Sequence, residues 1–598
     1  MRDNDIVFLN LHRGYLDFVP GYGGFLGIYL LSAFVNANGY AGQGYAGALH
    51  RGRELIDEAC REHGVQVVGL YCDYANVTEN ISLARYVKRR YGLPVLLGGP
   101  QAGSLGRDFL AESGVDCIVR GEGELTVLEL LDYYIDGTGE LADIYGIAYL
   151  EGAEAGARVG RLHVTPPRPP IVNLDALPYI DADCYLVPRH DWHELSLMTG
   201  RGCPFDCIFC HEGSHTRRVR YRSVANVLGE IDAFFAHHPH VKDCYILFTD
   251  DAFTLDAQRV HELCTALAER QQRYGFHWFC EGHIHTLAQH SGMIRDMAAA
   301  GLQRLQLGIE AGTERVLTAY HKHTTPEEIK AVVAMCRDAG IQQIYGNIIL
   351  GSAYFSSETY AADLAFGKEL LHIGAGTLEL GVVTYWPLPG TELTDHPERY
   401  GLRIVDRDFL TSVDDFPQTE TAEIDCWELQ RLAQQMEREL AAVRCEMLLA
   451  GEVPMERILT WYPSSSVFKS YGFWWQSLRK LPNLHAYGHL LLTHEGMTGR
   501  EAEPLGRSAH PMRVLSLQQY LHLDEAGGEI ADVHITQLEA EVLVLCTGRS
   551  SCEAIFRRLQ AAGQLNAYEE LQDILAWLER HYLIVYSREI ECEKSYQG

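Results

Sequence analysis

Arg201-Gly-Cys203-Pro-Phe-Asp-Cys207-Ile-Phe-Cys210 places three cysteines in a C-x3-C-x2-C spacing, directly after the apolar stretch Leu195-Ser-Leu-Met-Thr-Gly200. Thiolates on a short loop are the usual way to hold an iron–sulfur cluster, which normally takes four cysteine ligands. Three lie close together here and no fourth follows nearby. That arithmetic leaves one iron open for a substrate or cofactor. A structural zinc site and three unconnected buried thiols are the competing readings. Zinc takes four ligands in paired C-x2-4-C halves, and no second pair is present.

The stretch opens a series of strand–helix units. Strands are expected at Ser196–Thr199, Tyr245–Phe248, Trp278–Cys280, Leu305–Gly308, Ile344–Leu350 and Leu378–Thr384, each followed by a helical or loop segment at βα spacing. Six parallel strands make an incomplete barrel with its chemistry on the C-terminal strand ends. Upstream, Ile6-Val-Phe-Leu, Val67-Val-Gly-Leu, Pro94-Val-Leu-Leu and Cys117-Ile-Val are short, continuous and apolar, as buried parallel strands are. Helical patterns such as Glu54 to His63 and Ile81 to Arg90 separate them. An open doubly wound α/β sheet is the expected result, with ligands beyond the carboxyl ends of its strands.

The expected organisation is an α/β domain over 1–155, a proline-rich linker over 156–194, the partial (β/α)6 barrel over 195–415, a helical and aromatic region over 416–509, and a winged-helix-like domain over 510–598. In the fourth region Trp427 to Leu449 reads as a helix, with aromatics at Trp461 and Phe473-Trp-Trp475. In the last, Thr536-x-x-Glu539 and Ser550-x-x-Glu553 both have capping-box spacing. Leu538, Val542 and Leu545 share a helix face, Gly548 stands where a C-cap belongs, and a helix ending near Arg580 precedes a strand at Leu583–Tyr586.

The chain has 598 residues, enough for about three domains. Apolar residues make up 47% and charged residues 22%, a globular rather than disordered balance. The 16 cysteines form no disulfide-like framework, which points to a reducing compartment. With 50 Lys plus Arg against 80 Asp plus Glu, the net charge of −30 argues against a general nucleic-acid surface. The acidic start, Met-Arg-Asp-Asn-Asp, is unlike a signal peptide. The apolar run Phe25 to Val35 is too short to span a bilayer. A cytoplasmic protein without membrane partners is expected.

The cysteine loop, with Phe before its last Cys, resembles that of the radical S-adenosylmethionine (SAM) enzymes, and the resemblance continues over roughly 195–400. It implies that Cys203, Cys207 and Cys210 hold a 4Fe-4S cluster whose open iron binds SAM. Phe248-Thr249-Asp250-Asp251 lies at the second strand end, where the family binds the SAM amino group. Leu307-Gly308-Ile-Glu310-Ala-Gly312 resembles the fourth-strand motif, whose Glu contacts the ribose. Gly346-Asn347-Ile-Ile-Leu-Gly351 and Pro387-Leu-Pro-Gly-Thr-Glu392 match the fifth and sixth strand ends. Carboxylates suit the task, since SAM carries an ammonium and two ribose hydroxyls. The residue types also admit a structural Glu310. Glu281 and His283, in Cys280-Glu-Gly-His-Ile-His285, sit where relatives often place an Arg, and His283 reads either as a proton donor or as a packed polar residue.

A doubly wound domain ahead of such a core resembles the cobalamin-binding domain of one large radical SAM subfamily. Gly23, Gly24, Tyr74, Asn76, Gly98-Gly99-Pro100-Gln101, Gly121 and Glu122 occupy its cofactor loops, and glycines there let backbone approach a bulky planar ring. Asn10-Leu-His12-Arg-Gly14 matches the cobalt-ligand pattern D-x-H-x-x-G poorly, so cobalamin without a protein imidazole below it is expected. A nicotinamide reading of Gly21-Tyr-Gly-Gly-Phe-Leu-Gly27 fails because these glycines come too far after the first strand for a tight βα turn. An α/β domain that binds nothing is the remaining alternative.

His211-Glu-Gly-Ser-His215 fits H-E-x-x-H, but that zinc signature works only on a helix, and Gly213 disfavours one. His237-His-Pro-His240 reads as a solvated loop. Residues from about 510 resemble PqqD-like domains, which hold the leader peptides of ribosomal precursor peptides. Together the resemblances imply a cobalamin-dependent radical SAM methyltransferase acting on a carbon of a peptide or peptide-derived natural product, methyl passing from SAM via cobalamin. They also imply an external electron donor of flavodoxin or ferredoxin type. A cyclising or rearranging enzyme with the same cofactors, and a non-catalytic cobalamin or redox regulator, are the alternatives.

Overall fold

The computed structural model describes residues 4–12, 26–73, 76–152, 160–188, 192, 194–211, 217–241, 244–405, 416–453, 474, 477, 506–513, 521–524, 527–530, 533–547, 550–581 and 583–587. Gly23, Gly24, Tyr74, Glu212 to His215, Trp461, Phe473, Trp475 and Gly548 lie outside them, as does the side chain of His12. The chain divides into two compact units, Met1–Gly367 with Gly381–Met436, and Lys368–Leu380 with Glu437–Gly598.

The first unit begins with a seven-stranded sheet of β1 (Ile6–His12), β2 (Gly42–Ala48), β3 (Val67–Tyr71), β4 (Val95–Gly98), β5 (Cys117–Val119), β6 (Ile147–Glu151) and β7 (Arg161–Val164), in the order β2-β1-β3-β4-β5-β6-β7. The strands β1 to β5 pair in parallel. Alternation along β1 feeds both faces, as the two-residue strand period requires. Ile6 and Phe8 pack with α1 (Leu26–Ala37) and, through Val127 and Leu130, with the helix Glu124–Tyr134; Val7, Leu9 and Leu11 pack with Leu55, Ile56 and Leu83 on the opposite side. This is the doubly wound arrangement expected from sequence.

Two differences concern its edges. Gly42-Gln-Gly-Tyr-Ala-Gly-Ala has little intrinsic strand preference, yet it pairs with β1 along its whole length, from Ile6↔Gly42 to His12↔Ala48. Gly42 is required where it stands, because a Cβ would lie 2.4 Å from Val35 Cγ2. At the other edge β6 and β7 add antiparallel strands, so the sheet runs to Val164, into the segment expected to be linker.

A second sheet contains β8 (Glu194–Leu197), β11 (Tyr245–Phe248), β12 (His277–Gly282), β13 (Leu302–Leu307), β14 (Gln343–Leu350) and β15 (Leu378–Thr384), ordered β15-β14-β13-β12-β11-β8. All six expected strands are present, with ends shifted by up to three residues. A short hairpin of β9 (Gly200–Arg201) and β10 (Arg220–Tyr221) brackets the cysteine loop. One face of this sheet is covered by helices. Trp278 donates from Nε1 to Ala300 O at 2.8 Å, and a Cβ on Gly282 would meet Leu287 of the helix Ile284–Gln289 and Leu305 of β13. By strand alternation Phe279, Glu281, Arg304, Gln306, Tyr345 and Asn347 belong to the other face.

In the second unit, three antiparallel strands, Leu521–Asp524, Gly527–Ile530 and Val533–Ile535, precede helices Gln537–Leu545, Cys552–Ala561 and Tyr568–Arg580. Ile584–Ser587 then pairs antiparallel with His510–Arg513. The Thr536/Glu539 capping box is present. The second expected box does not form: Ser551, not Ser550, caps the next helix through Ala554 N, and Glu553 pairs with Arg507 and Arg557 instead.

Candidate active site

The cysteine loop starts from the β9–β10 hairpin. Gly202 adopts φ +93° and donates its N–H to Asp251 Oδ2 at 3.0 Å. Cys210 N bonds Cys207 O at 3.1 Å, and Ile208 N bonds Tyr320 O at 3.1 Å, which ties the loop to the segment after β13. The three cysteines form no disulfide and are partly exposed. Burial pushes the Cys207 thiol up to about 11 despite Lys322, and Cys210 adds to the rise for both Cys203 and Cys207, which gathers the three sulfurs in one neighbourhood. A single zinc ion with four ligands at about 2.3 Å would draw them much closer together. Among the described residues the one trio of His, Cys, Asp or Glu ligand atoms within 4.8 Å of one another is Glu58, Glu62 and His63, on the surface. The thiols therefore suit a wide cluster better than one ion.

Lys322 is the cation of this site. Its Nζ donates to Glu310 Oε1 at 2.9 Å, and both side chains are nearly buried. Burial opposes the ammonium, but Glu310 and the neighbouring cysteines outweigh it and raise its pKa. Gly308 exists for this pair: a Cβ there would lie 2.1 Å from Lys322 Nζ and 2.5 Å from Glu310 Oε1. Glu310 has φ +62°, and His321 and His323, either side of the lysine, have φ +56° and +52°. Left-handed conformations in residues other than glycine cost energy and cluster at functional sites. The backbone of Glu310 is held by Asn347 O and Ile349 N at 2.9 and 2.8 Å. Asp206, inside the cysteine loop, pairs with both His321 and His323. The sequence signal for Lys322 was faint, since its partner Glu310 lies twelve residues away with no fixed motif between them.

The other expected SAM residues divide. Asp250 is buried, and its carboxylate accepts from Thr199 N and from Thr199 Oγ at 2.9 Å, so it locks two strand ends together. Burial lifts its pKa to about 6. Asp251 is exposed beside the loop, while Thr249 N bonds Leu197 O at 3.0 Å. Asn347 Oδ1 is buried with no hydrogen-bond partner among the described residues, an acceptor available to a donor such as a ribose hydroxyl or ammonium. His283 stacks on Phe205 of the cysteine loop, with ring centroids 3.7 Å apart and planes at 12°. Burial pushes it down to about 3, so it is a neutral packed ring. His238 of the His237–His240 run stacks on Trp192 at 4.2 Å.

In the α/β domain the order β2-β1-β3 makes a topological switch beside β1, where such sheets bind ligands. Gly99 has φ +106°, and a Cβ would lie 2.5 Å from Cys72 O, so glycine alone fits the turn. Gly98 O and Gln101 N are tied back to Cys72. Gly121, at φ +83°, leaves open space around its Cα atom, and a Cβ on Gly98 would only touch Val119, at 3.8 Å. Asn76 is fully buried and braces the loop after β3, accepting from Asp73 N at 3.0 Å and donating to Tyr71 O at 3.1 Å. These glycine edges fit a bulky planar ring.

The two cofactor loops meet. His211, immediately after Cys210, bonds Pro100 O through Nε2. Glu122 pairs with Arg220 at 2.6 Å and with Arg201 at 3.5 Å, accepts from Ile171 N at 2.7 Å, and Glu124 pairs with Arg201. Glu122 is thus taken up in joining the two sheets. Burial works against its carboxylate, but the arginines hold its pKa below the usual range.

Residues 197–356 match the Radical SAM superfamily model, and residues 13–131 match the B12 binding domain model. The chain is 28% identical over 348 residues to an uncharacterized methyltransferase of Pyrococcus horikoshii, covering 57% of this chain and 71% of that protein. It is 28% identical over 234 residues to the anaerobic magnesium-protoporphyrin IX monomethyl ester cyclase of Rubrivivax gelatinosus, covering 38% of this chain and 40% of the cyclase. The fold is similar to that of the radical SAM methyltransferase TsrM from Kitasatospora setae with cobalamin and a [4Fe-4S] cluster bound, at TM-score 0.54 and 18% identity over 68% of this chain and 81% of that one. The chain is a radical SAM enzyme with a cobalamin-binding domain. Its cofactors are SAM, a 4Fe-4S cluster and cobalamin.

Proposed function

We propose that the enzyme transfers a methyl group from SAM, by way of cobalamin, to a carbon centre of a peptide or peptide-derived small molecule. The observation that carries this reading is the contact of His211 with Pro100, which brings the loop for the cluster against the glycine-rich loop for cobalamin. When bound, the cluster supplies the electron that cleaves SAM and cobalamin carries the methyl group. Cys203, Cys207 and Cys210 would hold the cluster. Asn347, Glu310, Asp251 and Thr249 would receive SAM at the strand ends, and Gly98 to Gln101 with Gly121 would line the cobalamin face.

The chain's own residues prepare this site. Lys322 keeps a positive charge beside the thiols, with Glu310 preventing its loss on burial. Phe205 and the neutral His283 form a stacked wall at the cluster loop, which excludes water from one side of it. Strain at Glu310, His321 and His323 fixes the lysine before any ligand arrives. The reductant is a flavodoxin- or ferredoxin-type donor, and the segment 510–598 holds the leader of a precursor peptide.

The test is anaerobic preparation of the full chain, iron and cobalt analysis, and incubation with SAM, reductant and candidate peptides. Expected are both metals, SAM cleavage, and a product heavier by about 14 Da per methyl group, because the cofactors dictate the chemistry. Triple Cys203/Cys207/Cys210→Ala protein should lose iron and cleavage. The 28% identity to a cyclase supports a second reading, ring formation with the same cofactors; a product lighter by about two hydrogens would select it.

A further inference from the structure

Arg304 is a half-buried cation that makes no salt bridge among the described residues. It lies on β13, and its side chain shares the helix-free face with Gln306, two residues on, and with Phe279 and Tyr345 of the flanking strands. Its guanidinium carbon lies 4.8 Å from the Tyr345 ring centroid and 5.7 Å from that of Phe279. Nε is buried without a hydrogen-bond partner, and the side chain makes no salt bridge among the described residues. Neighbouring cations behave differently. Lys322 has Glu310, Arg222 has Glu230 at 2.6 Å, and Arg220 has Glu122. Glu281, in register with Gln306, accepts from Gln306 Nε2 at 3.0 Å rather than from the arginine.

A buried N–H without an acceptor, such as this Nε, calls for a partner. Two aromatic faces attract the charge through cation–π interaction, but they offer Nε no acceptor. The face around it is open: Phe279, Gln306, Tyr345 and Asn347 are, like Arg304, only half-buried.

We infer that Arg304 is the anchor for an oxyanion of the substrate, a carboxylate or a phosphate, received between Phe279 and Tyr345 on the open face of the sheet below the SAM strand ends. The inference rests on the methyl-transfer reading only in placing the substrate on this face. The anion holds the molecule at its unreactive end, and its apolar part lies along the aromatic rings toward Asn347. A guanidinium suits this role through its planar bidentate geometry.

The test uses the anaerobic holoenzyme and three probes that differ only in the head group: benzoate, phenyl phosphate and benzamide, titrated by calorimetry. At least one anion should bind, with benzamide about tenfold or more weaker, as expected for loss of a charge-assisted hydrogen bond. The tighter of the two anions names the head group. Arg304→Gln should abolish the difference between anion and amide, Arg304→Lys should restore part of it, and SAM binding by equilibrium dialysis should stay unchanged. Equal binding of benzoate, phenyl phosphate and benzamide to wild type, or no anion binding at all, would overturn the assignment. So would a fall in SAM affinity matching the loss of anion binding, because the anchor would then serve the SAM carboxylate. None of these readouts involves methyl transfer, so failure of that reaction leaves the result interpretable.

Discussion

Gly308 shows how much one residue's absence of a side chain can carry. The Lys322–Glu310 pair occupies the space a methyl group would need. Gly308→Ala should therefore lower stability by about 1–3 kcal/mol, as overpacking does, and reduce SAM affinity while leaving cobalt content unchanged; thermal unfolding, dialysis and metal analysis check the three parts. Glu281 gives a pH signature. Burial, with Asp251 adding to it, raises its carboxyl from 4.5 to about 7. The fold keeps the proton across that interval while the unfolded chain has lost it, so stability falls as pH rises from about 4.5 to 7 and stays reduced above. The apo-protein should lose up to about 3 kcal/mol relative to Glu281→Gln over that window, at 1.36 kcal/mol per unit; parallel unfolding curves for the two proteins at pH 5 and 8 would refute it. The motifs pointed to the cysteines, Glu310, Asn347 and Asp250 as cofactor residues; the structure gives the Asp250 carboxylate Thr199 as a partner, because a strand-end Asp serves either purpose with the same residue type.

At the scale of elements, apolar runs located the strands well and missed those held by pairing alone. β2, rich in glycine and alanine, is a strand because β1 offers it a complete ladder, and no local pattern records a partner 36 residues away. β7 was hidden in the same way within a proline-rich stretch. Capping motifs were legible where their geometry is strict. Thr536 accepts from Glu539 N at 3.2 Å, and Thr536 N donates to Glu539 Oε2 at 2.7 Å. Thr536→Ala should cost about 1 kcal/mol, and loss of protection confined to the amides of Gln537–Leu545 in hydrogen exchange would locate the effect in that helix. At Ser550 no box forms, since Ser551 takes the N-cap with Ala554 three positions on, and Arg507 and Arg557 claim Glu553.

Over the whole molecule, the doubly wound sheet and the six-stranded parallel sheet were readable from their periods, but the way they join was not. The joining residues sit at the tips of the cofactor loops: Glu122 and Glu124 just past Gly121, Arg201 just ahead of the cysteines, His211 just behind them. Charges of opposite sign separated by about a hundred residues give no local pattern. Glu122→Ala leaves Arg220 buried without its acid, while Arg201 keeps Glu124, and should cost about 3–5 kcal/mol; unfolding followed by denaturant would show it, and Arg220→Met in the same background should recover part of the loss. The arrangement also limits how such a protein can be recombined. A chimera that took its amino-terminal half from one lineage and its cysteine-bearing half from another would bring together acid and base never selected as a couple. Grafts should succeed only when the two glutamates travel with the two arginines, so inheritance of the methyl-carrier module and the radical module is bound to a shared seam of charge.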